Sequence, residues 1–500
     1  MQPALEPQKS AVVDIGSNSV RLVIYEVTGA AALPYFNEKV LAGLGRGLPE
    51  TGKLSPEGVT QALAALRRYR AILKGLDVTE VIAVATAAVR EAEDGQDFAR
   101  LAAAELGSPL RILSGADEGR LSSLGVQVGF DQADGIVGDL GGSSLEFHSI
   151  SPGGSHSEGE THPLGPFSLS FTSDQKPADR RKAIRKVLKS SALLQAGARR
   201  LYAVGGSWRA IASVHIELTA YPLGVLHGYR MNGQAVRYVV REILSTLRDK
   251  DMAQRISSIV GRRYDTLVHA ALVLDETFDM GGFKEVVISA NGLRDGVLFD
   301  QQGESLFGAM EKPTGDPMRD GLVAYLRLDQ GQFDFSQALY RFIRPILPKT
   351  AARERIFRAA CLAADCGGRY HPDHRADMAY FLLLRAPVPC LSHEDRVLLA
   401  HATGLRYTHK FQRPKQFARL GRESDEQVAR VLGAAMRLGA VYSGRSAVLL
   451  SKASLKTTKS KLVMEVASDC EDMVSATVQK RFSQLATFMD LDGQIIIGEA

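Results

Sequence analysis

The chain has 500 residues, of which 45% are hydrophobic and 23% charged, with a formal net charge of +5. This length accommodates roughly three or four domains of about 150 residues, and the composition excludes a disordered or fibrous protein. No apolar stretch reaches the ~20 residues needed to span a bilayer, and the start of the chain lacks the basic-then-apolar order of a signal peptide, so we expect a cytoplasmic protein without a membrane partner.

One short pattern occurs twice in the chain. The first copy, D-I-G-S-N-S-V-R-L, begins at Asp14, and the second, D-L-G-G-S-S-L-E-F, begins without gaps at Asp139. Each copy lies between apolar runs, which predicts strand, tight turn, strand. Backbone N–H groups in such a turn can approach a phosphate, and a carboxylate at its mouth can hold a metal that bridges phosphate oxygens. The pair predicts two duplicated α/β domains whose turns face each other across a cleft.

The elements between the copies follow from apolar spacing and stop signals. We predict a helix with Ser55 as its N-cap, Pro56 at its first position and Gly75 as its stop. Further along the chain we predict a strand from Val81 to Ala85, part of a helix from Phe98 to Leu106, and a strand from Leu110 to Leu113. Beyond the second copy, we expect strands that end at Val204 and at Ile288.

The remaining organisation gives four expected domains. The bounds are residues 1–130, completed by a helix near 295–305, then 131–304, a helical domain over 305–440, and a small α+β domain over 441–500. In the last of these, Ala447 to Leu450 and Leu462 to Val466 alternate like strands around a turn with Lys456, Lys459 and Lys461.

Two small-residue turns that follow predicted strands carry charged side chains. Arg90 lies in A-T-A-A-V-R-E-A, and Glu118 lies in S-G-A-D-E-G-R. The carboxyl ends of strands form the usual ligand edge of an open α/β sheet, so we expect Arg90 to reach phosphate oxygens there. The residues alone do not decide whether Asp117 or Glu118 is the functional acid. They are also consistent with Glu118 as a capping residue of a helix that begins near Ser114.

Two glycine turns complete a set of six motifs: V-G-G-S-W-R-A-I-A from Val204 and A-N-G-L-R-D-G-V-L from Ala290. The duplicated hairpins resemble the actin, hexokinase and acetate kinase superfamily, with two actin-like, ribonuclease H-like domains. The ordered set over about residues 10–300 resembles the exopolyphosphatase and guanosine pentaphosphate phosphohydrolase family. Longer members of that family add a C-terminal region that resembles a degenerate HD phosphohydrolase domain, and the helical region after residue 305 suits it.

The resemblance implies a site as well as a fold. It implies Mg²⁺ as the cofactor, held largely through water by Asp14, Asp139 and Glu146, and it makes Glu118 the residue that orients or deprotonates the attacking water. The turn amides would cradle the terminal phosphate, together with Arg90. The expected phosphate-binding residues are Gly16, Ser17, Asn18, Ser19, Gly141, Gly142, Ser143 and Ser144.

Some positions depart from the family pattern. Ser143 stands where a third glycine is usual, and Leu145 stands where threonine is usual, so we expect the backbone to approach phosphate slightly differently there. Trp208 replaces a smaller aliphatic residue in the turn that lies near adenosine in the superfamily. We expect Trp208 to pack in a core, which puts nucleotide binding at this turn in doubt.

Basic residues are concentrated in runs. From Lys176 to Arg200 there are nine Lys or Arg against the single acid Asp179, and Lys182, Lys186 and Lys189 share one predicted helix face. Further basic runs lie at 341–358 and 406–422. Such runs also occur as solvated helix faces, but several in a modestly basic chain favour a long polyanion, inorganic polyphosphate, as the partner. Nucleic acid is not expected.

The helical region offers little sign of a second catalytic centre. His371, Asp373, His374 and Asp377 invite a metal interpretation, yet the chain has no His-Asp dipeptide, the defining pair of a working HD site. The four cysteines contain no C-x-x-C, so we expect reduced thiols. We therefore expect this region to line a basic channel.

The leading interpretation is a processive, Mg²⁺-dependent exopolyphosphatase, and the alternative is a guanosine pentaphosphate phosphohydrolase with the same site. A sugar or acid kinase, an actin-like polymer or chaperone ATPase, and a non-catalytic polyanion-binding regulator remain open. By resemblance to long family members, we expect a homodimer.

Overall fold

A computed structural model describes residues 7–152, 159–168, 175–300 and 316–498. These residues fall into two compact units. The N-terminal unit contains Gln8–Val27 and the described residues from Pro34 to residue 300, and the C-terminal unit contains Thr28–Leu33 and residues 316–498. Within the described residues, no helix is both long and apolar enough to cross a membrane.

The first sheet has five strands in the order β3-β2-β1-β4-β5, with β1 antiparallel to β2 and parallel to β4. The strands are β1 (Gln8–Ile15), β2 (Val20–Thr28), β3 (Ala31–Val40), β4 (Glu80–Ala85) and β5 (Leu110–Ile112). The helices in this part of the chain are α1 (Leu48–Thr51), α2 (Pro56–Gly75), α3 (Ala87–Glu91) and α4 (Gly95–Leu106).

The second sheet has six strands in the order β10-β11-β9-β6-β7-β8, with β6 antiparallel to β7 and parallel to β9. The strands are β6 (Gly135–Leu140), β7 (Leu145–Ile150), β8 (Glu160–His162), β9 (Arg200–Val204), β10 (Arg230–Asn232) and β11 (Glu285–Ile288). The helices are α5 (Gly115–Gly129), α6 (Pro177–Leu188), α7 (Ala192–Gln195), α8 (Gly206–Leu218), α9 (Gly233–Ser245), α10 (Lys250–Val260), α11 (Tyr264–Met280) and α12 (Leu293–Phe299).

The two sheets share one arrangement, a hairpin whose first strand also pairs in parallel with a later strand. This shared arrangement is what a duplicated domain predicts, and apolar residues of both hairpins form the cores of their sheets. The α2 boundaries agree with the sequence expectation, because the Ser55 side chain accepts a hydrogen bond from the Gly58 N–H at 3.3 Å. The helix expected near 295–305 begins earlier as α12, and residues 301–305 lie outside the described residues.

The C-terminal unit is helical and ends in a three-stranded sheet of order β12-β13-β14. Its elements are α13 (Pro317–Leu326), α14 (Gln330–Ile343), α15 (Ala351–Ala363), α16 (Arg375–Leu384), α17 (His393–Tyr407), α18 (Glu423–Ser443), α19 (Ala447–Leu450), β12 (Ala453–Thr457), β13 (Lys461–Ala467), α20 (Ala476–Phe488) and β14 (Asp492–Gly498). Short 3₁₀ helices cover Gly261–Arg263, Arg344–Ile346, Pro372–His374, Lys415–Leu420 and Ser468–Met473.

One predicted strand is wrong. Ala447–Leu450 forms α19, because the Ser446 hydroxyl accepts a hydrogen bond from the Leu449 N–H at 3.3 Å and caps a helical turn. Four residues are too few for alternation to distinguish a strand from one helical turn. The expected strand at Leu462–Val466 is confirmed within β13.

Candidate active site

A cavity of about 500 Å³ lies between the two hairpin turns of the N-terminal unit. Its lining includes all eight residues that the sequence predicts to bind phosphate, together with Asp14, Glu118 and Asp139. The duplicated turns therefore face one space, as expected from their repetition. The volume is that of an ordinary small-ligand site.

The two turns have the same internal hydrogen bond. The Gly16 N–H donates to the Ser19 carbonyl at 2.9 Å, and the Gly141 N–H donates to the Ser144 carbonyl at 2.9 Å. The turns also touch each other, since the Ser143 hydroxyl donates to the Ser17 hydroxyl at 2.9 Å. Ser143 does not adopt a positive φ, so the serine in place of the usual glycine brings no backbone strain.

The acidic residues concentrate on the second hairpin. Asp139 on β6 and Glu146 on β7 are cross-strand neighbours, and Glu146 is 1% exposed. No hydrogen bond of ordinary geometry reaches either carboxylate oxygen of Glu146 among the described residues, although the nearby Ser144 side chain opposes the rise of the Glu146 pKa. Burial raises the pKa of Asp139, although a hydrogen bond from Ser122 opposes the shift, and burial together with the Glu118 carboxylate raises the pKa of Glu146.

Glu118 lies in the first turn of α5 and lines the cavity. Its Oε2 accepts a hydrogen bond from Nη1 of Arg90 at 3.3 Å, and the same Nη1 donates to the Leu113 carbonyl at 2.9 Å. Burial and the nearby Asp139 carboxylate raise the pKa of Glu118 to about 8, against the opposing charge of Arg90. Arg90 is not part of the cavity lining; it holds Glu118.

Asp117 has a different environment from its neighbour. The Ser114 hydroxyl donates to Oδ2 of Asp117 at 2.8 Å, and Arg111 approaches Oδ1 at 3.4 Å. The Asp117 N–H in turn donates to the Ser114 hydroxyl at 3.0 Å. Asp117 thus completes the start of α5 and does not line the cavity. The geometry favours Glu118 over Asp117 for chemistry in the cleft.

Basic residues that the sequence interpretation missed also line the cavity. They are Arg21, Lys39, Arg209, Arg262, Arg263 and Arg294. Burial and repulsion from neighbouring arginines lower the pKa of Arg209 to about 10 and that of Lys39 to about 8. Three of the six, Arg21, Arg209 and Arg294, lie inside the motifs, and this was the only sequence signal for them. The other three lie outside the motifs and have no local signal. This crowding of cations favours an anionic ligand.

Two residues of the V-G-G-S-W-R-A-I-A motif have clear structural roles. Trp208 is fully buried, and its Nε1–H donates to the Ala270 carbonyl at 3.2 Å, so it packs in the core as predicted. Gly205, which precedes α8, has φ 99° and lies where a Cβ would come within 2.4 Å of the Leu140 carbonyl oxygen. Only glycine fits this entry to the helix that carries Arg209.

The predicted lysine track lies on α6 and at its end. Lys182, Lys186 and Lys189 are exposed and do not line the cavity. Two arginines of the same run are used structurally, since Arg181 and Arg185 contact Glu276 at 2.8 and 2.7 Å. The run is therefore divided into paired arginines and solvent-facing lysines.

A second basic stretch, at 341–358, is partly paired within the C-terminal unit, where three carboxylates contact four of its arginines. Its ion pairs are Arg344–Glu354, Arg353–Asp425, Arg355–Asp316 and Arg358–Glu354. His371 and Asp373 are exposed and lie 3.7 Å apart. Among the residues that the structure describes, no group of three or more His, Cys, Asp or Glu side chains is arranged to hold a metal ion.

The chain resembles known proteins in both fold and sequence. The fold is an actin-like α/β fold in which two sheets share one hairpin arrangement. Residues 23–304 match the model of the Ppx/GppA phosphatase family, and residues 341–495 match that of the exopolyphosphatase C-terminal region. Because the first match spans more than half of the chain, the chain belongs to the Ppx/GppA phosphatase family.

Individual relatives agree with this assignment. The chain is 25% identical over 319 residues to exopolyphosphatase 2 of Mycobacterium tuberculosis, which covers 59% of this chain and 98% of that protein. It is 31% identical over 141 residues to exopolyphosphatase 1 of Mycobacterium bovis, covering 28% and 41% of the two chains.

Two solved structures share the fold. An exopolyphosphatase from Cytophaga hutchinsonii matches with a TM-score of 0.53 at 22% identity, over 58% of this chain and 97% of that one. The Aquifex aeolicus family member matches with a TM-score of 0.52 at 22% identity, over 58% and 96%.

Proposed function

We propose that this protein is an exopolyphosphatase, which hydrolyses the terminal phosphoanhydride bond of inorganic polyphosphate and releases orthophosphate. The observation that carries the proposal is the single cavity in which both duplicated turns and several arginines surround the carboxylate of Glu118. The exopolyphosphatase relatives support the same reaction.

Each group has a role that its position favours. The N–H groups of the two turns and the cavity arginines bind the terminal phosphates and neutralise their charge, which is most of what phosphoryl transfer needs. Glu118 takes a proton from the attacking water, and a pKa raised to about 8 suits a general base at neutral pH. As the new P–O bond forms, the bond to the rest of the chain breaks and the shortened polyphosphate leaves as the anion. Arg90 fixes the orientation of Glu118.

The second hairpin fits Mg²⁺ as cofactor. Asp139 and Asp14 supply hard oxygen donors at the cavity. Glu146 does not line the cavity, but this buried acid is the cross-strand neighbour of Asp139. Mg²⁺ usually takes only one or two carboxylates and keeps several waters, so a site without an enclosing group of three acids is compatible with it. When bound, Mg²⁺ would supply positive charge to the phosphate oxygens.

Other features belong to the same proposal. Lys182, Lys186 and Lys189 form an exposed track for the distal part of the polymer, and the protein acts as a cytoplasmic homodimer. The C-terminal helical region keeps an HD-like arrangement without catalysis. Nothing in the cavity favours a guanine base over further phosphates, because Trp208 is buried and unable to stack on one.

The test is orthophosphate release by the purified protein from long polyphosphate, short polyphosphate and guanosine pentaphosphate, each with and without Mg²⁺. We expect Mg²⁺-dependent release that is fastest from long polyphosphate. Release from guanosine pentaphosphate alone would replace the proposal with its alternative. Phosphate transfer from ATP to an added sugar or acid, without release from polyphosphate, would assign the protein to the kinases.

A further inference from the structure

A second cavity lies within the C-terminal unit, where several helices end. It has a volume of about 380 Å³, and its charged lining consists of four arginines and one aspartate: Arg375, Arg406, Arg437, Arg445 and Asp365. We call this cavity the arginine pocket. It shares no residue with the cavity between the hairpins.

The aspartate does not neutralise the pocket. Asp365 Oδ1 lies 3.0 Å from Nη2 of Arg406, and Oδ2 lies 2.8 Å from Nη1 of Arg445. Both oxygens are thus occupied, and because one carboxylate carries a single negative charge, about three of the four positive charges of the lining stay uncompensated. The Arg406 side chain is 12% exposed and that of Arg445 is 58% exposed, so solvent screens the charge of Arg445 but little of the charge of Arg406.

Buried guanidinium nitrogens in and beside the pocket lack partners. Nε of Arg406, Nη1 of Arg437 and Nε of Arg481 are all buried without a hydrogen-bond partner among the described residues. Burial, with repulsion from Arg481 and Arg406, lowers the pKa of Arg437 to about 10. Arg406 is paired with Asp365, but Arg437 and Arg481 have no ion pair among the described residues. An uncompensated buried charge costs several kcal/mol, so an anion near these two arginines would stabilise the fold.

Helix ends explain only part of this cluster. Arg406 lies in the last turn of α17, where the negative end of the helix dipole favours a cation. Arg437 lies six residues before the end of α18, and Arg481 lies in the middle of α20, and the dipole effect falls off within one turn. These two arginines need another anion.

The backbone at one side of the pocket is held in an uncommon conformation. Arg445 has φ 72°, directly after Gly444 with φ 57°, and this turn directs the Arg445 side chain to Asp365. A left-handed arginine costs about 1 kcal/mol or more and persists where surrounding contacts impose it. The turn brings a further guanidinium to a place that already has an excess of them.

The size and lining of the pocket restrict its ligand. A volume of about 380 Å³ is at the low end for small-molecule sites. The Tyr407 ring is covered by the Arg406 guanidinium at 4.9 Å, which leaves that face closed to a nucleotide base. Planar guanidinium forks match phosphate oxygens in pairs, and a single carboxylate would neutralise too little of the charge.

We propose that the arginine pocket binds a compact inorganic phosphate anion, such as pyrophosphate or orthophosphate. This site is separate from the proposed hydrolytic cavity and does not depend on its chemistry. Arg437 is the central contact, because it combines a free buried nitrogen with two cationic neighbours.

The test is calorimetric titration of the full chain with pyrophosphate, without divalent metal, for wild type, Arg437→Gln and Arg430→Gln. Arg430 is the matched control, because it lies on the same helix but is half exposed and paired with Glu426. We expect the wild type and Arg430→Gln to retain a site that Arg437→Gln weakens at least tenfold, the effect of losing one charged hydrogen bond. Orthophosphate should compete for it, and AMP should bind more weakly.

The outcomes separate this proposal from the proposed function. If the hairpin cavity also binds pyrophosphate, titration of the wild type shows two binding sites and that of Arg437→Gln shows one. If the hairpin cavity does not bind pyrophosphate, the wild type shows one binding site and Arg437→Gln shows none. Unchanged stoichiometry and affinity in Arg437→Gln would overturn the proposal, and preference for AMP would replace the inorganic ligand with a nucleotide.

Unfolding supplies a second measurement. Without ligand, Arg437→Gln should have an equal or higher Tm than wild type, because it removes a repelling charge, and pyrophosphate should raise the Tm of wild type more than that of the variant. A clearly lower Tm of the variant without ligand, and an equal ligand effect in both proteins, would mean that Arg437 is structural. If Arg437→Gln does not fold, the same titration and Tm measurements are made on Arg481→Gln, and the same results support or overturn the proposal.

Discussion

The two copies of the hairpin have the same backbone but opposite electrostatics. Arg21 and Glu146 occupy equivalent positions, and each is the cross-strand neighbour of the aspartate of its own copy, Asp14 or Asp139. In the first copy the Asp14 carboxylate accepts a hydrogen bond from Arg294 at 2.8 Å. In the second copy two buried acids stand side by side. The aspartate of the first copy is thus paired with a cation of the chain, whereas the aspartate of the second copy adjoins another buried acid.

The largest expected effect concerns the acid that adjoins the second copy. Glu118→Gln should lower kcat by about 10²-fold or more while polyphosphate binding persists, because an amide cannot accept the proton of water. The matched control is Asp117→Asn, which should change kcat little, since Asp117 is occupied by Ser114 and Arg111. Steady-state kinetics on one short polyphosphate would show it. An equal or larger loss of kcat for Asp117→Asn would contradict the assignment of Glu118 as the general base.

The next comparison exchanges the equivalent positions of the two copies. Glu146→Gln should raise the Mg²⁺ concentration for half-maximal activity about tenfold or more, because a coordinating group is lost. Arg21→Gln should instead raise KM by about tenfold, through a lost charged hydrogen bond, and leave the Mg²⁺ requirement unchanged. Activity measured over a matrix of substrate and Mg²⁺ concentrations separates the two. The same response from both variants would remove the distinction between the copies.

The buried acids also predict how stability depends on pH without metal. The folded-state pKa of Glu118, about 8, exceeds the ordinary value of 4.5, so the folded protein retains protons that the unfolded chain releases. Stability should therefore fall as pH rises from about 4.5 to 8. In EDTA, Tm should decrease between pH 6 and 8, and Glu146→Gln should reduce the decrease by several degrees. Glu105→Gln, at a surface ion pair, is the control. A decrease that is identical in all three proteins would have another origin.

The smallest expected effect on turnover lies outside both copies. Changing Lys182, Lys186 and Lys189 together to Gln should weaken binding of long polyphosphate and reduce its salt dependence, because fewer counterions are released. The kcat on a short substrate should stay within about twofold of wild type, since these lysines do not line the cavity. Binding isotherms at two salt concentrations test it. If the triple variant behaved like the wild type on every chain length at low salt, the three lysines would be only a solvent-exposed helix face without a role in binding.

The hairpins and most strands were predictable because their signals are local. Each Asp-x-Gly turn contains its own small residues, and Ser55 with Pro56 marks the start of α2 by side-chain chemistry within four residues. The helical turn at Ala447–Leu450 was not predictable, because its four residues fit both periodicities and Ser446 decides between them.

The site was predictable only where charge lies inside a motif. Asp14, Glu118 and Asp139 were expected in one cleft, and the structure brings them to one cavity. Arg263 and Lys39 reach the same cavity from segments without a motif, so only the folded chain brings them there. The ion pairs of the 341–358 stretch likewise depend on partners such as Asp316 and Asp425, distant in sequence, which no local count of charges includes.

The contact between the two turns sets a limit on their symmetry. Ser17 and Gly142 occupy equivalent positions of the two copies, and a Cβ on Gly142 would lie 3.1 Å from Cβ of Ser17 and 3.2 Å from the ring of Phe167. A side chain at both positions would be tighter than ordinary contacts, so Ser17 or the Phe167 ring would have to shift. An exact internal repeat is therefore strained at the point where the two turns meet, and the glycine of the second copy avoids that strain.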